Sequence, residues 1–233
     1  MNINSRNISI IYLFLYFSLL LGFYFNEDFA GGYLIDYLAH KRVVGYFDAN
    51  FIESLLNYEE FDHKIPHSPI FITIFLNLEK ISFNESFAKL INLHFSLLIP
   101  YFFYLCLKIK YKFKINDIKI LLPTIIFLSP YFRSASIWLG DENISLLFLF
   151  ICFYFFLKFE NSNKKKLSDI FLNILFLALA AYMRPIYSLF SIYFFVRYYF
   201  ALNFSLKLLF YIFINILLSF PAIYYVFVLD INQ

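Results

Sequence analysis

Charge is scarce in this sequence of 233 residues: Asp, Glu, Lys and Arg together make up 15%. A soluble domain carries about a quarter and needs that charge to cover its outside, so a water-soluble globular protein is excluded. Disorder is excluded with it, because chains that stay unfolded are rich in charge and poor in aromatics. Cysteine is almost missing. Cys106 and Cys152 both sit in apolar runs, which implies neither a disulfide nor a metal framework. There is no internal repeat, no low-complexity tract beyond Lys164–Lys166, and no P-loop or nucleic-acid signature, so no nucleic acid is expected as a partner. What takes the place of charge is apolar: 62% of the residues are hydrophobic, with 35 Phe and 20 Tyr, a surplus no water-facing surface accommodates.

The charge-free stretches locate candidate membrane spans. Twenty uncharged residues separate Arg6 from Glu27, enough for a helix to cross the hydrocarbon core. No small-x-small cleavage site follows them, so they read as a retained anchor. Further spans are expected at Leu90–Leu107, Ile118–Trp138 and Asn143–Phe159. The stretch Ile170–Leu206 is broken by Met183-Arg184-Pro185 and reads as two spans, because proline ends or kinks a helix. The uncharged run Leu208–Leu229 completes seven. The expected fold is all-α: a polytopic transmembrane helix bundle of about seven spans, with a long outer first loop that contains interfacial helices.

Lys and Arg set the orientation. Loop 108–119 carries Lys108, Lys110, Lys112, Lys114 and Lys119, and loop 158–169 carries Lys158 and Lys164–Lys166. With Arg6 before the first span, and Arg197 and Lys207 around the last turn, all fall on one side if the spans number seven. That side, with the N-terminus, is then cytoplasmic. Loop 26–86 is outside; it has ten acids against four bases, a net charge of −6. It has little Pro or Gly and many aromatics, so it is no linker. Residues 68–81 are apolar but too short to span comfortably, and are expected to lie as a helix at the outer interface. Lys164–Lys166 reads as a topology signal touching anionic lipid.

Few polar residues face the outer side. Asn26-Glu27-Asp28 follows the first span directly. It reads as a solvated helix end on composition, and as a general base or substrate-orienting carboxylate on chemistry. Residues 61–69 hold Asp62, His63, Pro66, His67 and Pro69. The spacing His63-x-x-x-His67 suits zinc only on a helix, and Pro66 argues against one, so a rigid substrate-facing turn is expected and no metal or other cofactor is indicated. Arg133, within an apolar run, needs an anion or a path to water; Asp141 or a phosphate would supply the anion. Arg184 precedes a proline at the outer end of the fifth span, where a guanidinium meets a bound anion well. For both arginines an interhelical ion pair or snorkelling to the interface is the competing reading. His94 reads as a packing residue and Trp138 as an interfacial one.

The order of these features resembles the GT-C membrane glycosyltransferases, particularly the relatives of protein mannosyltransferases and of the lipid A aminoarabinose transferase. Glu27-Asp28 matches the acidic motif that opens their first outer loop, and His67-Ser68-Pro69 their His-Pro-Pro-like turn, with Ser68 departing from the usual Pro. FNESFAKL is similar to their segment entering the second span, with Lys89 at its basic position. SPYFRSASIWLGDENISLLFLF fits their second outer loop, with Asp141 as its acid, and Arg184 matches a basic residue after the fifth span. The resemblance implies Asp28 as catalytic base with Glu27 as its rival, and Asp141 as a second site carboxylate. Lys89 and Arg184 would hold the phosphate, and Arg133, His63 and His67 would line the substrate site. The donor would be a polyprenyl-phosphate-linked sugar, transferred with inversion to a glycan, lipid or protein acceptor in a bacterial inner membrane. Residues 1–233 would form a single seven-span module, without the C-terminal part that members usually carry. Two other classes stand beside this: a flippase- or polymerase-type subunit of a polysaccharide pathway, and a non-catalytic scaffold, in which Asp28, Asp141 and Arg184 would point apart.

Overall fold

A computed structural model describes residues 5–57, 69–112 and 118–227, and every regular element among them is a helix. The chain runs through α1 (Ser5–Tyr24), α2 (Tyr33–Ala49), α3 (Phe51–Leu56), α4 (Pro69–Ile81), α5 (Glu85–Ser96) and α6 (Leu98–Tyr111). A 3-10 segment, Ile118–Leu128, leads into α7 (Pro130–Ile137), α8 (Asp141–Asn161) and α9 (Leu167–Met183). A 3-10 turn (Pro185–Leu189), α10 (Phe190–Leu202) and α11 (Leu206–Phe227) follow.

Among the described residues three helices are long and apolar enough to cross a membrane: α1, the α5–α6 pair as one 27-residue helix, and α8. A fourth results if the 3-10 segment and α7 count together, although they meet at 72°. The straight span expected at Ile118–Trp138 is therefore broken. Pro130 has no N–H to continue a helix, and the residue before a proline is pushed out of the helical region. Ser129 is accordingly extended (φ −73°, ψ 122°), and its hydroxyl caps α7 by accepting from the Phe132 N–H. Arg184-Pro185 stops α9 after 17 residues in the same way, with Arg184 at φ −134° and ψ 96°. Neither α9 nor the 13-residue α10 matches the length of an ordinary span, so seven full-length spans are more than helix length alone supports.

The core is divided between two clusters that share α8. One gathers α1, α2, α4, α5, α7 and the first half of α8; the other packs the second half of α8 against α9, α10 and α11. In the second, Phe156, Phe159, Phe194 and Tyr198 are completely covered, and ring centroids 4.8–5.7 Å apart give the offset and edge contacts that aromatics favour. Outside, the helices stay apolar: Leu13, Phe14, Phe17 and Leu21 of α1 are all more than half exposed.

Helix α4 has the boundaries expected of the interfacial segment 68–81, but its apolar face is covered. Phe71, Ile72 and Phe75 are fully buried where α4 packs against α2, α5 and α9. At the opposite end of the bundle Lys165 has a local role. Its Nζ donates to the Phe159 and Glu160 carbonyls at 3.0 Å each, satisfying acceptors at the C-terminus of α8, and Lys207 Nζ donates to the Lys165 carbonyl at 2.7 Å.

Candidate functional site

After α1 the chain reverses at Asn26, whose left-handed conformation (φ 52°) asparagine tolerates better than most residues. The Glu27 N–H then donates to the Gly22 carbonyl at 2.8 Å, and the Glu27 side chain turns back into the bundle. There it meets Arg133 of α7. Nε donates to Oε1 and Nη2 to Oε2, each at 2.5 Å, the two-pronged geometry that matches a guanidinium to a carboxylate. Arg133 also donates to the Ser18 hydroxyl at 3.2 Å and the Ser18 carbonyl at 3.1 Å, and Trp138 Nε1 donates to the Glu27 carbonyl at 3.0 Å. Gly22 leaves the room for this, since a Cβ there would collide with Glu27 Oε2. The partner of Arg133 is thus Glu27, where Asp141 or a phosphate was expected. Two proposed site residues neutralise one another and tie α7 to α1.

Asp28 turns the other way. Its Oδ2 accepts the Leu34 N–H at 3.2 Å in the first turn of α2, where the helix N-terminus favours a carboxylate. Its Oδ1 is buried and has no hydrogen-bond partner among the described residues.

A second group forms where α7 turns into α8. Leu139 adopts φ 56°, uncommon for a bulky side chain, and is completely buried. Gly140 follows, and a Cβ on it would press to 2.8 Å from Tyr33 Cε1 and 2.9 Å from Ala135 Cα. Asp141 and Glu142 then open α8. From the end of α9, Arg184 reaches both: Nη2 donates to Asp141 Oδ1 at 2.9 Å and to Glu142 Oε1. The Nε of Arg184 is buried without a hydrogen-bond partner among the described residues.

Helix α2 lies over this group, and its side chains register the charges beneath. Burial, and then the negative charge of Glu142, raise the Tyr33 phenol above its ordinary value. Burial and Glu142 likewise raise the Asp36 carboxyl, with Asp28 adding to the effect and Arg184 opposing it. His40 is enclosed by Phe71 and Phe75, with ring centroids 4.7 and 6.1 Å away. Burial lowers its pKa to about 4, and the positive charge of Arg184 acts in the same direction. Arg184 is felt by all three.

Lys89 has partners of its own. Its Nζ pairs with Glu85 Oε1 at 2.8 Å and lies 4.2 and 4.1 Å from the ring centroids of Tyr37 and Trp138, a cation boxed between two aromatic faces. Glu85 is shared with Lys41 at 2.6 Å. His63 and His67 lie outside the described residues. Among the described residues no three His, Cys, Asp or Glu side chains converge as metal ligands.

Attention to ionisable groups alone passes over the amides and hydroxyls that hold α7 in place. Asn92 of α5 donates to the Ala135 and Ser136 carbonyls at 3.2 and 2.8 Å. Asn143 of α8 donates to the Ser136 hydroxyl at 2.8 Å, the Phe132 carbonyl at 3.0 Å and the Ser96 hydroxyl at 3.2 Å. All four side chains are buried, and this network fixes the helix that carries Arg133 and the turn that presents Asp141. The signal available in the sequence is an amide within each of two apolar runs. Tyr33, Asp36 and His40 carry no such signal, because only the docking of α2 brings them near Arg184.

The arrangement therefore has two distinct parts. Arg133 and Glu27 form a closed structural pair. Arg184, Asp141, Glu142 and Asp28 surround the start of α2, and two buried atoms of the group, Asp28 Oδ1 and Arg184 Nε, have no hydrogen-bond partner among the described residues. No family model matches the chain, and neither a curated protein nor a solved structure proved similar to it.

Proposed function

We propose that this chain is an integral-membrane glycosyltransferase of the GT-C kind, moving a sugar from a polyprenyl-phosphate donor to an envelope glycan, lipid or protein on the outer face of the membrane. The ordered resemblance of its motifs supports this reading. So does the uncovered apolar surface of α1, since a soluble monomer rarely leaves so continuous a patch exposed. In this reading the spans number seven, with α9 and α10 as shorter members, and the N-terminus is cytoplasmic. The basic segment after α8 and the start of α11 meet at one end of the bundle through the Lys207–Lys165 contact, in keeping with that orientation.

One observation carries the chemistry: an unspent carboxylate oxygen on Asp28 and an unspent guanidinium N–H on Arg184 accompany the same helix start. The acceptor hydroxyl oxygen attacks the anomeric carbon, and the bond from that carbon to the donor phosphate oxygen breaks. The electron pair leaves with the phosphate, which Arg184 holds, and the hydroxyl proton passes to Asp28. Phosphate leaves readily, so one carboxylate and one cation suffice. Asp141 and Glu142 orient Arg184 from the opposite side.

A non-catalytic, or flippase- or polymerase-type, subunit is the second reading. It draws on the fact that Lys89, Arg133 and Arg184 all have carboxylate partners within the chain. Purified protein in liposomes, supplied with a panel of polyprenyl-phosphate sugars and acceptors, separates the two. Transfer by the wild type, reduced about 100-fold or more by Asp28→Asn with donor binding retained, is the expected result. Transfer untouched by both Asp28→Asn and Glu27→Gln would sink the carboxylate-base mechanism.

A further inference from the structure

Helix α9 buries two polar side chains on one face. Asp169 and Asn173 stand four residues apart, neighbours on a helix surface, and are 2% and 0% exposed. Asn173 is fixed by α8: its Nδ2 donates to the Cys152 carbonyl and to the Cys152 sulfur, at 3.0 Å each. With both N–H groups directed there, its Oδ1 is an acceptor only. Asp169 is held through its other oxygen, Oδ1, which lies 3.3 Å from Lys158 Nζ of α8. From α10, Tyr198 reaches the same stretch of α8. Its ring packs on Phe159 and Phe156, with centroids 4.8 and 5.7 Å away, and Tyr211 of α11 covers it at 4.8 Å. Cys152, Phe156 and Phe159 follow one another by four and three residues, so Asn173 and Tyr198 meet one stripe of α8. The Tyr198 phenol lies within electrostatic reach of both Cys152 and Asp169. Three buried oxygens of this group, Asp169 Oδ2, Asn173 Oδ1 and Tyr198 Oη, have no hydrogen-bond partner among the described residues.

We propose that these three oxygens bind an alkali-metal cation, sodium or potassium, between α8, α9 and α10. Asp169 lies in the first turn of α9 and Arg184 just past its last, so the site is separate from the group around Arg184. Three observations choose the ligand. First, a carboxylate oxygen out of reach of water needs a counter-charge. Lys158 faces the other oxygen, and its side chain is 45% exposed, which weakens it by solvent screening. A water molecule would bring protons to the group and no charge; a cation brings the charge. Second, the group is nearly all acceptor: the Asn173 N–H groups go to Cys152, and the Tyr198 phenol is the single O–H. Carboxylate, amide and phenol oxygens suit a hard cation, not zinc or copper, which favour nitrogen and sulfur. Third, the group has one negative charge. Glu160, the nearby acid, is paired with Arg197. Calcium takes about six to eight oxygens and magnesium a rigid octahedron, so a monovalent ion matches this smaller and less acidic set.

The test is thermal unfolding of the full chain in detergent, with sodium or potassium chloride replacing choline chloride at fixed ionic strength. Choline is too large to enter between packed helices. At about ten times its Kd, the alkali cation should raise the unfolding midpoint by about 3 °C, and the rise should saturate. Asp169→Asn should abolish the response. Tyr198→Phe keeps the ring stack and loses only the oxygen, so it should raise the half-saturating concentration about tenfold, the effect of one contact to a charged group. Equal midpoints in sodium, potassium and choline would overturn the proposal and leave the group to water. A response of the same size and half-saturation in both variants would reduce it to a general salt effect and overturn it as well. Stabilisation by magnesium chloride alone would overturn the monovalent assignment. If Asp169→Asn does not fold, Tyr198→Phe decides: an unchanged half-saturating concentration overturns the site. None of these readouts depends on sugar transfer, so the proposal stands or falls apart from the glycosyltransferase reading.

Discussion

Arg133 grips Glu27 with two N–H groups on one edge of its guanidinium across 106 positions of sequence, and both side chains are almost sealed from solvent. Neither is thereby free to serve as a mobile site group. Glu27, the closest rival to Asp28 for the role of base, is engaged in holding α7 against α1.

The first prediction concerns this pair. Breaking a buried ion pair by removing one partner strands the other, at a typical cost of about 3–5 kcal/mol. Glu27→Gln and Arg133→Met should each lower the unfolding midpoint markedly in detergent, and the double variant should recover a large part of the loss. Additive effects in that cycle would show that the two residues do not act as a unit.

Lys89 separates stability from binding. Its ammonium lies between Tyr37 and Trp138 and on Glu85, contacts worth about 2 kcal/mol or more when desolvated. Lys89→Met should reduce stability and leave affinity for the polyprenyl-phosphate donor within about twofold. A large loss of donor affinity in a variant of normal stability would return Lys89 to the phosphate site.

His40 makes stability depend on pH. Its folded pKa, about 4, lies below the ordinary 6.5, so the unfolded chain binds the extra proton between those values. The resulting stability is fully present above pH 6.5 and is lost as pH falls towards 4, with a magnitude on the order of 3 kcal/mol. The raised carboxyls of Asp36 and Glu79 act with the opposite sign, stabilising the fold as pH falls. Comparison of wild type with His40→Gln at pH 7.5 and pH 5 therefore isolates the histidine. The wild type should lose more stability than the variant over that interval, and parallel pH profiles would exclude His40.

Arg184 tests the proposed anion site. Lysine in its place keeps a charge but loses the planar donor set that reaches Asp141 and Glu142. Arg184→Lys should weaken donor binding by about tenfold, or ~1.4 kcal/mol, and Arg184→Ala by more. Donor affinity unchanged in Arg184→Ala would remove this residue from the site.

Much of the helical architecture is legible one residue at a time. A long apolar stretch meant for hydrocarbon satisfies its backbone within itself as a helix, because hydrocarbon offers no hydrogen bonds. The stop at Arg184-Pro185 follows from proline chemistry alone, and α4 has the boundaries its apolar run suggests. The break at Ser129-Pro130 rests on the same chemistry, but a long, mostly apolar stretch conceals it. The partners of the charges are not legible in this way. Arg133 has Asp141 eight positions ahead and Glu27 more than a hundred behind, and as sequence the two acids are equivalent. The packing of α7 against α1, held by Asn92 and Asn143 and permitted by Gly22, brings Glu27 to Arg133 and leaves Asp141 to Arg184. Composition and local backbone chemistry thus determine which segments are helical and where they stop, since those depend on neighbours along the chain. Which carboxylates are spent, and which oxygen of Asp28 is left over, is decided by contacts between helices remote in sequence, and only the tertiary structure contains them.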